Sequence, residues 1–177
     1  MFSAQWNIDV TVRKIQYGCG FAERLMIAVT IVRATCADRA DFFAWRNDPL
    51  TRRFSKQREP IPWDTHVAWY TAALASAEHR LLVGYHGTEK IGNVRFDRID
   101  SEEPRLLVSM VIAPLWRRKG YGKPLLNAAI AALPPAIMDA EIAEDNLASV
   151  NIFVACGFEP LTRSAENFLK FRRRITN

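Results

Sequence analysis

The chain has 177 residues, 49% of them hydrophobic and 24% charged, which is the make-up of one globular domain and argues against both a disordered chain and a membrane protein. Lys and Arg outnumber Asp and Glu by 24 to 19, for a net charge of +5, so an anionic ligand or partner is expected. The cations are scattered among loops and Arg172-Arg173-Arg174 without a long basic stripe interleaved with aromatics, which favours a nucleotide-bearing cofactor over nucleic acid.

In chain order, Trp6, Ile8, Val10 and Val12 alternate with polar residues until Gly18-Cys19-Gly20, the pattern of a half-buried strand. An accessory strand is one option for this first stretch, and the length of the chain suits a single domain. The apolar run from Met26 to Val32 is short, interrupted by Thr30 and followed by Arg33; it cannot span a bilayer and makes a poor signal peptide. Ala28 to Ala34 is rich in β-branched residues and reads as the first core strand. Cys19, Cys36 and Cys156 lack paired spacing, as do His66, His79 and His86, so neither a disulfide framework nor a metal site is expected, and a reducing cytoplasm is.

Ala37 to Asn47 predicts a helix ended by Asn47-Asp48-Pro49, because a residue before proline avoids the helical region. A second helix is expected after Pro60-Ile61-Pro62-Trp63, with Asp64 as its cap and Trp63, Val67, Tyr70 and Leu74 on one face. Arg80 to Tyr85 and Ile91 to Ile99 predict a hairpin around Gly87, and Leu106 to Ala113 continues the antiparallel run. The next helix carries Leu125, Leu126, Ala129, Ile130 and Leu133 on one face and ends at Pro134-Pro135. A strand at Ala136 to Ala143, a helix at Leu147 to Cys156 capped by Gly157, and a strand at Phe168 to Ile175 complete the chain. The fold class is α/β in the α+β sense, a mixed, largely antiparallel sheet with helices on both faces.

Between the strand at 106–113 and the helix after it stands Arg117-Arg118-Lys119-Gly120-Tyr121-Gly122. A helix start offers backbone N–H groups without partners in the chain, and its dipole favours an anion; the two glycines let a ligand approach the backbone. The spacing lacks the Ser/Thr of a Walker loop and the third glycine of a dinucleotide fingerprint. A basic surface turn would look the same locally.

Arg117-x-x-Gly120-x-Gly122 after an apolar strand resembles the pyrophosphate loop of the GNAT superfamily of acyl-CoA N-acyltransferases, and Asn146-Leu-Ala-Ser-Val-Asn-Ile-Phe-Val-Ala-Cys-Gly157-Phe158 resembles that family's second signature. The resemblance covers roughly residues 26 to 175, which implies that residues 1–25 are an N-terminal extension, with an accessory strand as one option, and residues 26–177 a single domain. It implies acetyl-CoA as acyl donor, bound where the strand at Leu107 to Ala113 splays from that at Met138 to Ala143. Met110, Val111 and Ala113 would line the pantetheine arm, Arg117, Arg118, Lys119, Gly120, Tyr121 and Gly122 would hold the pyrophosphate, and Asn146 would bond the cofactor near the mouth. A primary amine would attack the thioester directly, an N–H near Val111 would stabilise the oxyanion, and Glu141, on the splayed strand where some relatives carry a catalytic glutamate, would be the base. The family's acid is a tyrosine on the following helix; this sequence has Phe153 there, beside the cofactor, with Ser149 and Cys156 on the same face able to position a water.

Phe43-Ala-Trp45-Arg46-Asn47, Thr51-Arg52, Phe54 and Pro60-Ile61-x-x-Asp64-x-His66-x-x-Trp69 look like the insert of members that acetylate 4-amino sugars on nucleotide carriers, and also of ribosomal-protein N-acetyltransferases. Trp45, Arg46, Asn47 and Arg52 are the substrate candidates. The acceptor is then a small-molecule amine or a peptide, with a non-catalytic acyl-CoA-binding module as a third reading. No membrane partner is expected, and a homodimer is an open option.

Overall fold

A computed structural model describes residues 27–99, 101–163 and 167–175; the expected strand within residues 1–25 lies outside them. Seven strands form one sheet: β1 (Thr30–Arg33), β2 (His79–His86), β3 (Glu89–Ile99), β4 (Arg105–Ile112), β5 (Ile137–Ala143), β6 (Glu159–Arg163) and β7 (Phe168–Arg174). Their order across the sheet is β1-β2-β3-β4-β5-β7-β6. Every pairing is antiparallel except that of β4 with β5, which is parallel. Among the described residues five α-helices cover it: α1 (Arg39–Asn47), α2 (Pro49–Arg53), α3 (Trp63–Ala75), α4 (Gly122–Ala131) and α5 (Leu147–Ala155).

Alternation along the strands divides the core in two. Leu82, Val94, Phe96, Val108, Met138 and Ala140 pack with Leu125, Leu126 and Ala129 of α4 and Phe153 of α5. Leu81 and Val83 face the other way, onto Phe42 and Trp45 of α1 and Tyr70 and Ala73 of α3. Strand β2 is thus buried on both sides, which is why its sequence reads as a continuous apolar run rather than an alternation.

Three local readings change. Asp64 does not cap α3: the cap position is Pro62, without a side-chain bond, and Asp64 lies in the first turn, where its charge complements the helix dipole. Asp48-Pro49, which ends α1, also starts α2, because the Asp48 carboxylate accepts from the amides of Leu50 and Thr51 and proline suits the first helical position. Strand β6 is additional; Pro160 is tolerated in it because β6 is an edge of the sheet.

His66 is buried, its Nε2 3.0 Å from the carbonyl oxygen of Arg39, to which the Nε2–H donates, and its ring among those of Phe43, Trp63, Trp69 and Tyr70. Burial lowers its pKa; the bond to the Arg39 carbonyl opposes this and the Arg39 charge adds to it. A histidine depressed in the folded state binds fewer protons than in the unfolded one, so its stabilisation is whole above the unfolded pKa of about 6.5 and declines as pH falls through the window below. Thermal melts from about pH 7.5 to about pH 5.5 should show a falling midpoint, and His66→Gln should flatten the slope. A variant profile as steep as the wild type would place the titration elsewhere.

Candidate functional site

Strands β4 and β5 pair only at Arg105↔Ile137, Leu106↔Met138 and Leu107↔Asp139. Beyond that point β4 stays paired with β3 as far as Ile112, and β5 with β7 as far as Ala143, so the sheet opens between them. In an antiparallel pair every second residue turns both backbone groups to its partner. The bond from the Ala113 amide to the Ile91 carbonyl, 2.9 Å, sets the phase on β4. Ser109 and Val111 therefore face β3, and Met110 and Ile112 face the opening. On β5 the bond from the Ile175 amide to the Ala136 carbonyl, 2.9 Å, sets it likewise, and Glu141 and Ala143 face the opening.

Two of those carbonyls are already taken. That of Ile112 accepts from Arg117 Nε at 3.2 Å, and that of Ala143 accepts from the Asn146 amide at 2.9 Å. The amides of Met110, Ile112, Glu141 and Ala143, with the carbonyls of Met110 and Glu141, remain directed at the gap. An extended ligand with amides of its own, such as a pantetheine arm, matches this donor and acceptor set. Val111 and Ala113 take part differently from expectation: their amides belong to the β3 pairing, and the donor expected near Val111 falls to Met110 or Ile112.

At the wide end of the opening stands the glycine loop. Gly120 has φ +85° and Arg118 φ +60°, both left-handed, so the loop turns sharply into α4. Its N-terminus has no side-chain cap, which leaves first-turn amides for a ligand. Arg118 and Lys119 are exposed there. Gly122 answers to packing instead, since a Cβ at that position would lie 2.4 Å from Ile152 Cδ1; its smallness lets α4 and α5 approach. Tyr121 is a core residue, its ring 4.9 Å from that of Trp116 and 5.1 Å from that of His86, so only its backbone is offered to a ligand.

Arg117 turns away from the loop. Its Nη1 lies 2.6 Å from Asp48 Oδ1 and its Nη2 donates to Thr51 Oγ1 at 2.8 Å, which ties α2 to the end of β4. Burial alone would raise the Asp48 pKa; the bonds from Arg117, Thr51 and Leu50 outweigh it and hold the carboxyl below its usual range. On the far side, Arg53 lies 3.5 Å from Asp145 and Lys56 Nζ is in close contact with Glu141 Oε2. Segment 48–56 therefore bridges the two splayed strands. Sequence reading missed the roles of Lys56 and Asp48, because a lone lysine in a loop carries no local signal and Asp48-Pro49 reads as a helix stop.

Asn146 caps α5, its Oδ1 accepting from the Ser149 amide at 3.2 Å. That accounts for an asparagine at this place without a ligand. Asn146→Ala should therefore lower stability by about 1 kcal/mol in ligand-free protein. Thermal melts with and without acetyl-CoA separate this cap from the cofactor role, which would appear as a smaller ligand-induced rise. Phe153 is 4% exposed and packs edge-on against Phe158 at 4.9 Å, so it holds the core under β5. Cys156 is buried, which pushes its thiol up to about 11 although Lys123 and Arg173 pull the other way.

The substrate candidates build the insert. Arg46 Nη2 donates to the Gln57 carbonyl at 2.8 Å, Arg52 donates to the carbonyls of Asn47 and Arg58 at 3.1 and 2.9 Å, and the Asn47 amide side chain exchanges two bonds with the backbone of Ile61 at 2.9 and 2.8 Å. Trp45 is buried against Phe42. Trp45 and Asn47 also line a cavity of about 740 Å³ together with Asp41, Asp48, Lys90 and Trp116. Lys90 Nζ is 2.7 Å from Asp38 and 2.6 Å from Asp41; burial would lower its pKa, and the two carboxylates raise it instead. Glu141 does not line this cavity, which lies on the α1 side of the end of β4.

A mixed sheet that opens between its two parallel strands, with a left-handed glycine loop and an uncapped helix at the wide end, is the architecture of an acyl-CoA-dependent N-acyltransferase fold. Residues 28–159 match the acetyltransferase (GNAT) domain model, and the chain belongs to that family. An uncharacterised protein of Methanocaldococcus jannaschii is 25% identical over 144 residues, 78% of this chain; the chain spans 30% of the length of that curated relative. The crystal structure of a domain from the same organism superposes with a TM-score of 0.71 at 20% identity, over 83% of this chain and 98% of that one. Spermidine N-acetyltransferase from Vibrio cholerae, solved in complex with CoA and spermine, gives 0.70 at 18% identity over 83% and 94%. A putative acetyltransferase from Salmonella typhimurium, solved with its cofactor acetyl-CoA, gives 0.67 at 20% over 84% and 95%. No described helix is long and apolar enough to cross a membrane.

Proposed function

We propose that this domain transfers the acetyl group of acetyl-CoA to a primary amine by direct attack in a ternary complex. The observation that carries the reading is the opening between β4 and β5, edged by the amides of Met110, Ile112, Glu141 and Ala143 and ending at Gly120. Acetyl-CoA supplies an activated thioester. The Met110 and Ile112 edge would hold the pantetheine and an oxyanion, the Gly120 loop and the start of α4 the pyrophosphate, and Glu141 the proton removed from the acceptor ammonium.

For the acceptor, an amino sugar on a nucleotide carrier is the favoured class. One nitrogen of Arg46, Nη1, is buried without a partner among the described residues. Burial lowers the Arg46 pKa, and the charges of Arg95 and Arg52 lower it further. A buried guanidinium nitrogen without a partner among the described residues, under the charges of two further arginines, suits a phosphate-bearing ligand better than a polyamine. Thiol release from acetyl-CoA, measured across nucleotide-linked amino sugars, polyamines and N-terminal peptides, tests both halves. Release with a polyamine or a peptide alone would overturn the acceptor class and keep the transfer; no release with any amine, together with no change in melting temperature on adding acetyl-CoA, would overturn the transfer.

A further inference from the structure

The segment that follows α2 carries a primary amine of its own into the site. Lys56 Nζ contacts Glu141 Oε2, while Lys170 stands 3.8 Å from the other carboxylate oxygen. Lys56 Nζ also lies 5.6 Å from the centre of the Phe168 ring. The backbone that presents it is held by the bond from Arg46 to the Gln57 carbonyl at 2.8 Å and by that from the Ser55 hydroxyl to the Thr51 carbonyl at 2.7 Å. Lys56 is exposed and Glu141 half-buried; a pair with one partner in solvent contributes only about 0–1 kcal/mol, so stability gives little reason for an ammonium on this carboxylate. The side chain is the same chemical group as the acceptor, and it meets the carboxylate assigned as the base.

We propose that Lys56 is an internal acceptor, acetylated on Nζ by the chain's own acetyl-CoA when no external amine is bound. This rests on the reading of Glu141 as base and of acetyl-CoA as donor. The Lys56 ammonium gives one proton to Glu141; the neutral amine attacks the thioester carbon, forming the C–N bond. The C–S bond then breaks with its electron pair on sulfur, and a second proton passes from nitrogen to that thiolate. The products are Nε-acetyl-Lys56, the free thiol and one proton. The amide has no charge, so the ion pair ends and Glu141 is released for an external amine.

Lys170 is the less apt acceptor, because its backbone is fixed opposite Glu141 in the β5–β7 pairing and its amine is the more distant of the two. The test incubates the full chain with acetyl-CoA and no amine, followed by peptide mapping. The expected result is one acetyl group, on Lys56, appearing at a rate independent of protein concentration and lost in Glu141→Gln. A readout without the donor accompanies it: after isotopic dimethylation of the lysines in ligand-free protein, the Lys56 resonance should move on Glu141→Gln. Acetylation shared among Lys56, Lys119, Lys123 and Lys170, or persisting in Glu141→Gln, would mark simple chemical acylation and overturn the proposal. An unmodified Lys56 in protein that still releases thiol with an external amine, or a Lys56 resonance indifferent to Glu141, would overturn it while leaving the transferase reading intact. Absence of both a melting shift and thiol release would instead bring down the reading on which it rests.

Discussion

Acetyl-CoA should raise the melting temperature of the wild-type chain, and Gly120→Val should abolish that rise while the protein stays folded. At a concentration about 100 times Kd, a ligand that binds only the native state contributes about 2.7 kcal/mol, equivalent to roughly 5–10 °C for a domain of this size. The reason for the loss is backbone geometry. Gly120 sits at φ +85°, where a β-branched residue is an outlier, and a left-handed side chain costs roughly 1–2 kcal/mol. Space is the lesser obstacle, since an added Cβ would meet only Ile27 Cδ1, at 3.3 Å. Valine therefore forces the loop to re-route, and the amides at the head of α4 no longer converge on one point. Lys119→Ala is the companion variant: it deletes a charge and keeps the backbone, so it should retain most of the rise and weaken it chiefly at low salt. A Gly120→Val protein with the full rise would reduce the loop to a turn.

That loop was legible in the sequence because its signal is local. Two glycines, a run of cations and the change from strand to helix period lie within one short stretch, and the strands themselves announce their apolar runs. The functions of individual residues in the stretch were not legible, because they depend on partners far away in sequence. Gly122 answers to Ile152 on another helix, Arg117 to Asp48 and Thr51, and Tyr121 to His86 and Trp116. The opening of the sheet has a different origin again. Residues 105–112 look alike from end to end, and only the loss of pairing after Leu107 and Asp139, combined with the phase of the bonds to β3, sets Met110 apart from Val111. Arg46, Asn47 and Arg52 show the same limit, since a polar side chain that binds substrate and one that holds the loop at 57–61 are identical as letters.

Glu141→Gln should lower the rate of thiol release with a good acceptor by roughly 10²-fold or more, the usual contribution of a general base, while acetyl-CoA binding persists. Glutamine keeps the size of the side chain and loses both the capacity to take a proton and the charge that pairs with Lys56 and Lys170, so Lys56→Gln, which ends the first pair and leaves the carboxylate, is the control that separates the two. Phe153→Tyr should leave the rate little changed or slightly higher. The departing group needs little help: a coenzyme A thiol resembles that of cysteine, with a pKa of about 8.5, so its thiolate leaves readily near neutral pH and can be protonated by water. Phe153 is moreover a core side chain, 4% exposed and packed on Phe158. A hydroxyl added there lacks a ready partner, and leaving it unpaired costs roughly 1–3 kcal/mol. The new variant should therefore melt lower than wild type without gaining a large rate advantage. A large gain in Phe153→Tyr would show that protonation of the leaving sulfur limits the native chain. Full activity in Glu141→Gln, with cofactor binding intact, would remove Glu141 from the mechanism and leave the amine to lose its proton to solvent.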